Sequence, residues 1–123
     1  FMSSISVTVC DDSKMSRKAV IRAIPPELQA DLHEATNGKE AIQNFSEGKA
    51  DVMFLDLTMP EMDGFEVLAE LKRQAARNFV FVISADIQPA SQQKVMELGA
   101  VKFLKKPLDA ESLKVLLHEV GII

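Results

Sequence analysis

Apolar positions along the chain follow two alternating periods. The first period gives short runs with the length of strands, which are Ile5–Cys10, 31–35 (the weakest), Val52–Leu55, Phe79–Ile83 and Val101–Leu104. Three of the runs contain consecutive apolar residues, as in strands that a parallel sheet buries on both faces, whereas the first alternates with Ser6 and Thr8. The pattern therefore predicts five strands.

The segments between the runs carry apolar residues at helical spacing, and they cover residues 13–24, 38–47, 64–73, 89–98 and 110–120. In the first segment Met15, Ala19 and Ile24 are apolar positions among polar residues. Asp63, with Glu66 three residues later, resembles a capping box at the start of the third segment. These features predict five helices.

Strands that alternate with helices predict an α/β fold. The expected architecture is a doubly wound five-stranded parallel sheet flanked by five helices through right-handed crossovers. The connections are short, and no linker, repeat or low-complexity segment interrupts the alternation. Because 123 residues is the length of one domain, we expect residues 1–123 to form a single domain with no output domain.

Composition and charge narrow the classes of function. Apolar residues make up 47% and charged residues 26% of the chain, and 14 basic against 18 acidic residues give a net charge of −4. A mildly acidic domain is a poor candidate for binding nucleic acid or an anionic membrane unaided. No apolar stretch approaches the roughly 20 residues that span a bilayer, and no signal peptide is visible, so we expect a cytoplasmic protein.

The cysteine and histidine positions do not suggest a metal site of their own. The single cysteine, Cys10, cannot form an internal disulfide, which fits a reducing compartment. Because Cys10 lies inside an apolar run, an inert core thiol is favoured over a nucleophile. His33 and His118 lack metal-ligand spacing, which disfavours zinc or copper.

Polar side chains collect where the predicted strands end. In an open α/β sheet, ligands bind outside the carboxyl ends of the strands, so residues that follow different strands meet at one edge. The residues in question are Asp11 and Asp12 after the first strand, Asp56 after the third, Ser84 after the fourth, and Lys105 and Lys106 after the fifth.

Carboxylates, a lysine and a hydroxyl at one place suit phosphoryl transfer. Carboxylates a few ångströms apart raise one another's pKa, and a divalent cation such as Mg²⁺, which prefers oxygen ligands, relieves the repulsion. With a metal and a lysine to neutralise the phosphoryl oxygens, one carboxylate can attack phosphorus. The five glycines are too scattered for a P-loop, so we expect a phosphoryl donor other than a tightly bound nucleotide.

Each of these residues also has a plain structural interpretation. Taken singly, Asp11 and Asp12 would cap the first helix, and Asp56 would be a turn residue. Lys105 rivals Lys106 as the charged group, and spacing alone does not decide between them.

A set of motifs, in order and at matching strand ends, resembles the response-regulator receiver domain, and in particular its single-domain, CheY-like members. The motifs are Asp11-Asp12, Asp56, the run MPEMDG at 59–64, Ser84-Ala85 and Lys106-Pro107. Any one of them is a weak signal, but together they form a strong one that covers essentially the whole chain. The resemblance implies a flavodoxin-like, CheY-like fold.

The resemblance implies an acceptor and a metal site. Asp56 would be the phosphoacceptor, taking its phosphoryl group from a phosphohistidine. Asp11 and Asp12 would hold Mg²⁺, with Asp12 as the more direct ligand, and Asp56 and the backbone carbonyl of Thr58 would complete the protein ligands.

The resemblance also implies switch residues. Lys106 would pair with a phosphoryl oxygen, and the peptide bond before Pro107 would be cis. Ser84 would hydrogen-bond to another phosphoryl oxygen after phosphorylation, and Phe103 would turn inwards as the aromatic switch residue. Phe103 also suits a plain core position.

Four positions depart from the family pattern or vary within it. One is Ser84, which replaces the commoner threonine and keeps the hydroxyl donor. Phe103 lacks the hydroxyl of the tyrosine common in chemotaxis regulators, so an output surface that reads that hydroxyl does not follow from the resemblance. Thr58 and Asp86 stand at variable positions that tune the attack of water on the acyl phosphate. Asp86 would orient or repel that water.

As a receiver, the chain would be a signalling switch rather than an enzyme. Its phosphodonor would be a sensor histidine kinase or a phosphotransfer protein. The face made by the fourth helix, the fifth strand and the fifth helix would bind an output partner such as a flagellar motor switch or a phosphatase, with chemotaxis as the expected pathway. We expect a monomer that binds neither DNA nor membrane directly.

Two other functions compete with this interpretation. A phosphatase of the haloacid-dehalogenase type also uses an aspartate nucleophile, Mg²⁺, a hydroxyl and a lysine, but it needs a second acid where this chain has Thr58. A phosphorylation-independent adaptor would be a receiver without a working switch, and here all the switch residues are present.

Overall fold

A single parallel sheet forms the centre of the molecule in the computed structural model, which describes residues 5–123. Its strands are β1 (Ile5–Cys10), β2 (Ala30–Ala35), β3 (Val52–Leu55), β4 (Phe79–Ser84) and β5 (Lys102–Lys105). All neighbouring strands are parallel, in the order β2-β1-β3-β4-β5. The direction of winding reverses between β1 and β3, which is where sheets of this kind bind their ligands.

The helices occupy the intervals between the strands. They are α1 (Lys14–Ala23), α2 (Gly38–Ser46), α3 (Gly64–Arg73), α4 (Pro89–Glu97) and α5 (Ala110–Glu119), with a 3₁₀ turn at Pro26–Leu28. The five strands and five helices confirm the doubly wound α/β fold, and each begins within one residue of its predicted start. None of the helices in this part of the chain is long and apolar enough to cross a bilayer.

Side-chain caps mark the starts of several helices. Asp63 accepts a hydrogen bond from the N–H of Glu66, and the Glu66 carboxylate accepts one from the N–H of Asp63, which confirms the predicted capping box. Asn37 caps α2 and Asp109 caps α5 in the same way, through a side-chain oxygen. Each such cap contributes about 1 kcal/mol to stability.

Two apolar clusters, one on each face of the sheet, form the core. Val52 and Phe54 belong to the cluster that includes α1 and α5, whereas Met53 and Leu55 belong to the cluster that includes α2, α3 and α4. Successive side chains of a strand alternate between faces, so β3 needs apolar residues at all four positions. Phe54 also stacks on Phe81 of β4, with ring centroids 5.4 Å apart.

Only some of the apolar residues of α1 face the core. Met15 is 82% exposed and Ala19 is exposed, whereas Val20 and Ala23 are buried and Ile24 packs against the core. Val20, Ala23 and Ile24 recur at the spacing of one helical face, while Met15 and Ala19 share another. The short α1 therefore leaves two of its apolar side chains facing solvent.

Candidate functional site

The carboxyl ends of β1 and β3 bring three carboxylates together. Asp11 follows β1 and Asp56 follows β3, and the last residues of these neighbouring strands, Cys10 and Leu55, are partners in register. One carboxylate oxygen from each of Asp11, Asp12 and Asp56 lies within 4.8 Å of the others. Asp11 and Asp56 are 3% and 8% exposed, whereas Asp12 is exposed. The cluster therefore has two carboxylates shielded from water and one that faces it.

Lys106 brings a positive charge into this cluster. Its Nζ atom lies 2.9 Å from Oδ2 of Asp11 and 3.3 Å from Oδ1 of Asp56. Lys105, an exposed residue of β5, has no carboxylate within ion-pair distance among residues 5–123. Of the two rival lysines, the structure therefore places Lys106 at the carboxylates. The peptide bond between Lys106 and Pro107 is cis.

Burial and like charge disfavour ionisation of Asp56. The pKa of its carboxyl group is raised, first because burial removes water from the charged form and then because the Asp11 carboxylate repels it, while Lys106 opposes both effects. Burial by itself would lower the pKa of Lys106, but its hydrogen bond to Asp11 and the two nearby negative charges outweigh burial and raise it. The lysine is therefore charged, and one ammonium group cannot neutralise three carboxylates.

The donor set of the cluster fits a hard divalent cation. Asp11, Asp12 and Asp56 all offer carboxylate oxygens, which are the ligands that Mg²⁺ prefers. A divalent cation would offset the two negative charges that remain when Lys106 neutralises one carboxylate. Thr58, whose backbone carbonyl is a further expected ligand, is an exposed residue two positions beyond Asp56.

Arg17 of α1 is part of the framework of the site, and the sequence analysis missed it. Its side chain is buried, and its Nη1 atom donates a hydrogen bond to the backbone carbonyl of Asp11 at 2.8 Å. Its Nε atom donates to the carboxylate of Glu34 in β2 at 2.7 Å. Arg17 therefore ties the loop that carries Asp11 to the edge strand. A lone arginine among polar helix residues gives no sequence signal for such a role.

Ser84 ends β4 at the same edge of the sheet. It is buried, and its hydroxyl oxygen accepts a hydrogen bond from the N–H of Asp86 at 3.0 Å. The Asp86 carboxylate accepts hydrogen bonds from the N–H of Gln88 and from the hydroxyl of Ser91. The hydrogen bond between the Asp86 N–H and the Ser84 hydroxyl therefore lies within the loop that leads to α4.

Phe103 lies on the edge strand β5. Its half-buried side chain packs against the apolar cluster that includes α2, α3 and α4. This placement agrees with a packing role, and the inward turn expected of an aromatic switch residue stays a prediction.

Gly64 allows the β3–α3 loop to pass close to the end of β3. A Cβ atom at this position would lie 2.5 Å from the carbonyl oxygen of Asp56 and 2.8 Å from Cα of Leu57. The N–H of Gly64 donates to the carbonyl of Leu57 at 3.0 Å. Only glycine fits this approach, which gives a physical reason for the glycine that ends the MPEMDG run.

Cys10 lies in the core beside the acidic cluster. The thiol is buried, and its pKa is raised to about 12, first by burial and then by the charges of Asp11 and Asp56. A thiol in this state has almost no thiolate at neutral pH. The core position of Cys10 is therefore confirmed, and its inertness stays a prediction.

Comparison with known proteins agrees with this geometry. The sequence model of a family described as "Response regulator receiver domain" matches residues 7–118. The chemotaxis protein CheY of Listeria monocytogenes is 32% identical over 107 residues, which cover 87% of this chain and 90% of that protein. Among solved structures, the signal receiver domain of the putative response regulator NarL from Mycobacterium tuberculosis has a TM-score of 0.84 at 30% identity. It covers 98% of this chain and 99% of that one.

A second group of relatives is longer. The protein-glutamate methylesterase/protein-glutamine glutaminase 3 of Geobacter sulfurreducens is 37% identical over 117 residues, which cover 94% of this chain. The chain spans only 31% of the length of that relative. The similarity therefore concerns one part of the longer protein.

Proposed function

The chain belongs to the family of response regulator receiver domains, and from this membership we propose that it is a CheY-like phosphorylation switch of a two-component system. Asp56 would accept its phosphoryl group from a phosphohistidine of a sensor histidine kinase or a phosphotransfer protein. One observation carries the proposal: Oδ1 of Asp56 lies 3.3 Å from the ammonium group of Lys106, in a cluster with Asp11 and Asp12.

Transfer requires one free carboxylate oxygen on Asp56. That oxygen attacks phosphorus, the bond from phosphorus to the donor's imidazole nitrogen breaks, and its electron pair stays with the imidazole. The ammonium group of Lys106 pairs with a phosphoryl oxygen and stabilises the charge there. Asp11, Asp12 and Asp56, with the backbone carbonyl of Thr58, would hold Mg²⁺, which supplies further positive charge at the phosphoryl oxygens when bound.

Phosphorylation would then change the face made by α4, β5 and α5. Ser84 would donate a hydrogen bond to a phosphoryl oxygen, and Phe103 would turn inwards as the loops after β4 and β5 move. Ile87 and Val115 are 49% and 55% exposed, so they offer apolar contacts to a partner, and Lys105 of β5 is exposed as well. A partner that prefers the phosphorylated form must also favour phosphorylation.

Chemotaxis is the pathway that the relatives favour. The Listeria monocytogenes relative is named a chemotaxis protein, and the match spans most of both chains. The output partner would therefore be a protein such as a flagellar motor switch or a phosphatase. A net charge of −4 supports action through protein partners rather than direct binding to DNA. The esterase activity named for the longer relatives is not part of the proposal, because this chain spans only 31% of the Geobacter sulfurreducens protein.

Covalent labelling tests the acceptor. The protein is incubated with labelled acetyl phosphate, with and without Mg²⁺, and label stable to denaturation is counted. We expect labelling that depends on Mg²⁺ and is lost in Asp56→Asn. Asp51→Asn is the matched control. Asp51 precedes β3, at the opposite end of the strand from Asp56, and its carboxylate accepts a hydrogen bond from the N–H of Ser6. Equal labelling of Asp56→Asn would identify a different acceptor and end the proposal.

The two competing functions predict different results. A haloacid-dehalogenase-type phosphatase would release many equivalents of phosphate per protein from a phosphomonoester, and Asp56 here follows β3 rather than the first strand. An adaptor without a switch would show the same partner affinity before and after treatment with the phosphodonor. A receiver should instead incorporate at most one phosphoryl group and change its affinity.

A further inference from the structure

Asp86 makes three hydrogen bonds around the β4–α4 loop (residues 85–88). Its N–H donates to the hydroxyl oxygen of Ser84 at 3.0 Å. Its Oδ1 atom accepts from the N–H of Gln88 at 3.0 Å, and its Oδ2 atom accepts from the hydroxyl of Ser91 at 2.8 Å. A single residue therefore links the side chain of Ser84 to the first turn of α4.

The Asp86 carboxylate lies beside the start of α4, which has no side-chain cap of its own. Gln88, the N-cap residue of α4, makes no side-chain cap hydrogen bond, and the first turn of α4 contains no acidic residue. A negative charge beside a helix start is stabilised by the free N–H groups there. The hydrogen bonds from Gln88 and Ser91 also lower the pKa of Asp86. The charged carboxylate therefore belongs structurally to α4.

These contacts favour a role for Asp86 other than the orientation of water expected from the resemblance. Both carboxylate oxygens of Asp86 already accept hydrogen bonds from α4 or its N-cap. We propose that Asp86 is a positioning residue, which holds Ser84 in its unphosphorylated arrangement by tying the β4–α4 loop to α4. The inference rests on the proposed function, because it assumes that Ser84 serves a phosphorylated Asp56.

The expected effect follows from a difference between two states. The hydroxyl of Ser84 must move to a phosphoryl oxygen, and a hydrogen bond made only before that movement opposes it. The bond from the Asp86 N–H is of this kind, and its strength depends on how firmly the carboxylate holds the loop. Weaker carboxylate contacts should therefore make the phosphorylated arrangement easier to reach, and α4 receives the movement because it is tied to the same residue.

The first test needs no phosphoryl group. Amide hydrogen exchange is measured on the unphosphorylated wild type and on Ser91→Ala, which removes one carboxylate contact and leaves Ser84 and Asp86 intact. The loss of one ordinary hydrogen bond changes an equilibrium constant by roughly three- to tenfold. We therefore expect the amide of Asp86 to exchange about three- to tenfold faster in Ser91→Ala than in the wild type. An unchanged Asp86 amide would overturn the coupling, whatever the outcome of phosphorylation.

Ser112→Ala is the matched control for that variant. Ser112 donates its hydroxyl to Oδ2 of Asp109 at 2.7 Å, so α5 begins with the same pairing of aspartate and serine. This change should leave the Asp86 amide as in the wild type. A matching increase in both serine variants would show a global loss of stability and would also overturn the inference.

The second test measures the affinity for beryllofluoride in the presence of Mg²⁺, since this ion mimics a phosphoryl group. We expect Ser91→Ala and Asp86→Asn both to bind about three- to tenfold more tightly than the wild type, while Ser112→Ala stays within about twofold. A change in Asp86→Asn with Ser91→Ala unchanged would show that the carboxylate acts on the site directly, and it would overturn the inference. If the wild type binds no beryllofluoride, the proposed function fails, and hydrogen exchange still decides on the coupling.

Discussion

Replacement of Asp56 by asparagine should stabilise the metal-free protein. At an effective dielectric constant of 20, a carboxylate at the outer limit of the cluster, 4.8 Å away, repels another by about 3.5 kcal/mol, and the exposed Asp12 contributes less because water screens it. The ammonium group of Lys106 at 3.3 Å returns about 5 kcal/mol. Burial is the largest cause of the raised pKa of Asp56, and together with the repulsion from Asp11 it outweighs the attraction to Lys106. Because the charged carboxyl group thus carries a net cost, we expect a gain of about 1–2 kcal/mol in the free energy of unfolding.

Magnesium should remove this advantage. The wild type gains about 2.7 kcal/mol when Mg²⁺ is present at about 100 times its dissociation constant, because only the folded state presents the site. Asp56→Asn lacks one of the three carboxylates, so it should gain much less. The order of stability of the two proteins should therefore narrow or reverse when Mg²⁺ is added.

Urea denaturation with and without Mg²⁺ measures both effects. Asp51→Asn, the change at the far end of β3, should follow the wild type in both buffers. The reasoning is refuted if Asp56→Asn is less stable than the wild type without metal. It is also refuted if Mg²⁺ stabilises Asp56→Asn as much as the wild type.

Three further predictions concern the lysine, the loop and the thiol. Lys106→Ala should slow labelling by acetyl phosphate at least about tenfold, because it removes a positive charge at the phosphoryl oxygens. Lys105→Ala should be labelled at the wild-type rate. Equal labelling rates for the two variants would show that Lys106 does not have this role. Gly64→Ala should lower the free energy of unfolding, measured in urea, by about 1–3 kcal/mol, because its methyl group would lie 2.5 Å from a backbone oxygen. Gly48→Ala should lower it less despite the positive φ of Gly48, because a methyl group there meets no atom within 4 Å. A larger loss of stability in Gly48→Ala would contradict the clash at Gly64. The pKa of Cys10 is raised to about 12, so its thiolate becomes appreciable only as the pH approaches that value. At pH 8 an aromatic disulfide reagent should therefore react with Cys10 only when the protein unfolds. A reaction as fast in the folded protein as in the protein unfolded by urea would contradict the burial of the thiol.

The fold was predictable from the sequence because the buried strands of the sheet are runs of apolar residues. The four residues of β3 are apolar without interruption, and both sides of that strand are covered by helices. The face of α1 was harder to predict, since Met15 and Ala19 are apolar but face solvent. On so short a helix, the neighbours against which it packs determine the buried face, and periodicity carries little information about them.

The same contrast applies to the candidate site. The strand-end rule placed Asp11, Asp56 and Lys106 at one edge, because it needs only the order of the elements. The choice of Lys106 over Lys105 and the role of Arg17 depend on where side chains point. The side chain of Arg17 in α1 donates a hydrogen bond to the backbone carbonyl of Asp11. Nothing in the residues around Arg17 in the sequence predicts that contact. Backbone topology was therefore predictable, whereas side-chain partners were predictable only where they are close in sequence, as Asp63 and Glu66 are.

The ion pair between Asp11 and Lys106 joins positions 95 residues apart, near opposite ends of the chain. A polypeptide still emerging from the ribosome has Asp11 long before it has Lys106. Under the proposed function, its phosphorylation should therefore stay slow until β5 has joined the sheet. Molecules whose folding is incomplete would thus contribute little to the response to a stimulus.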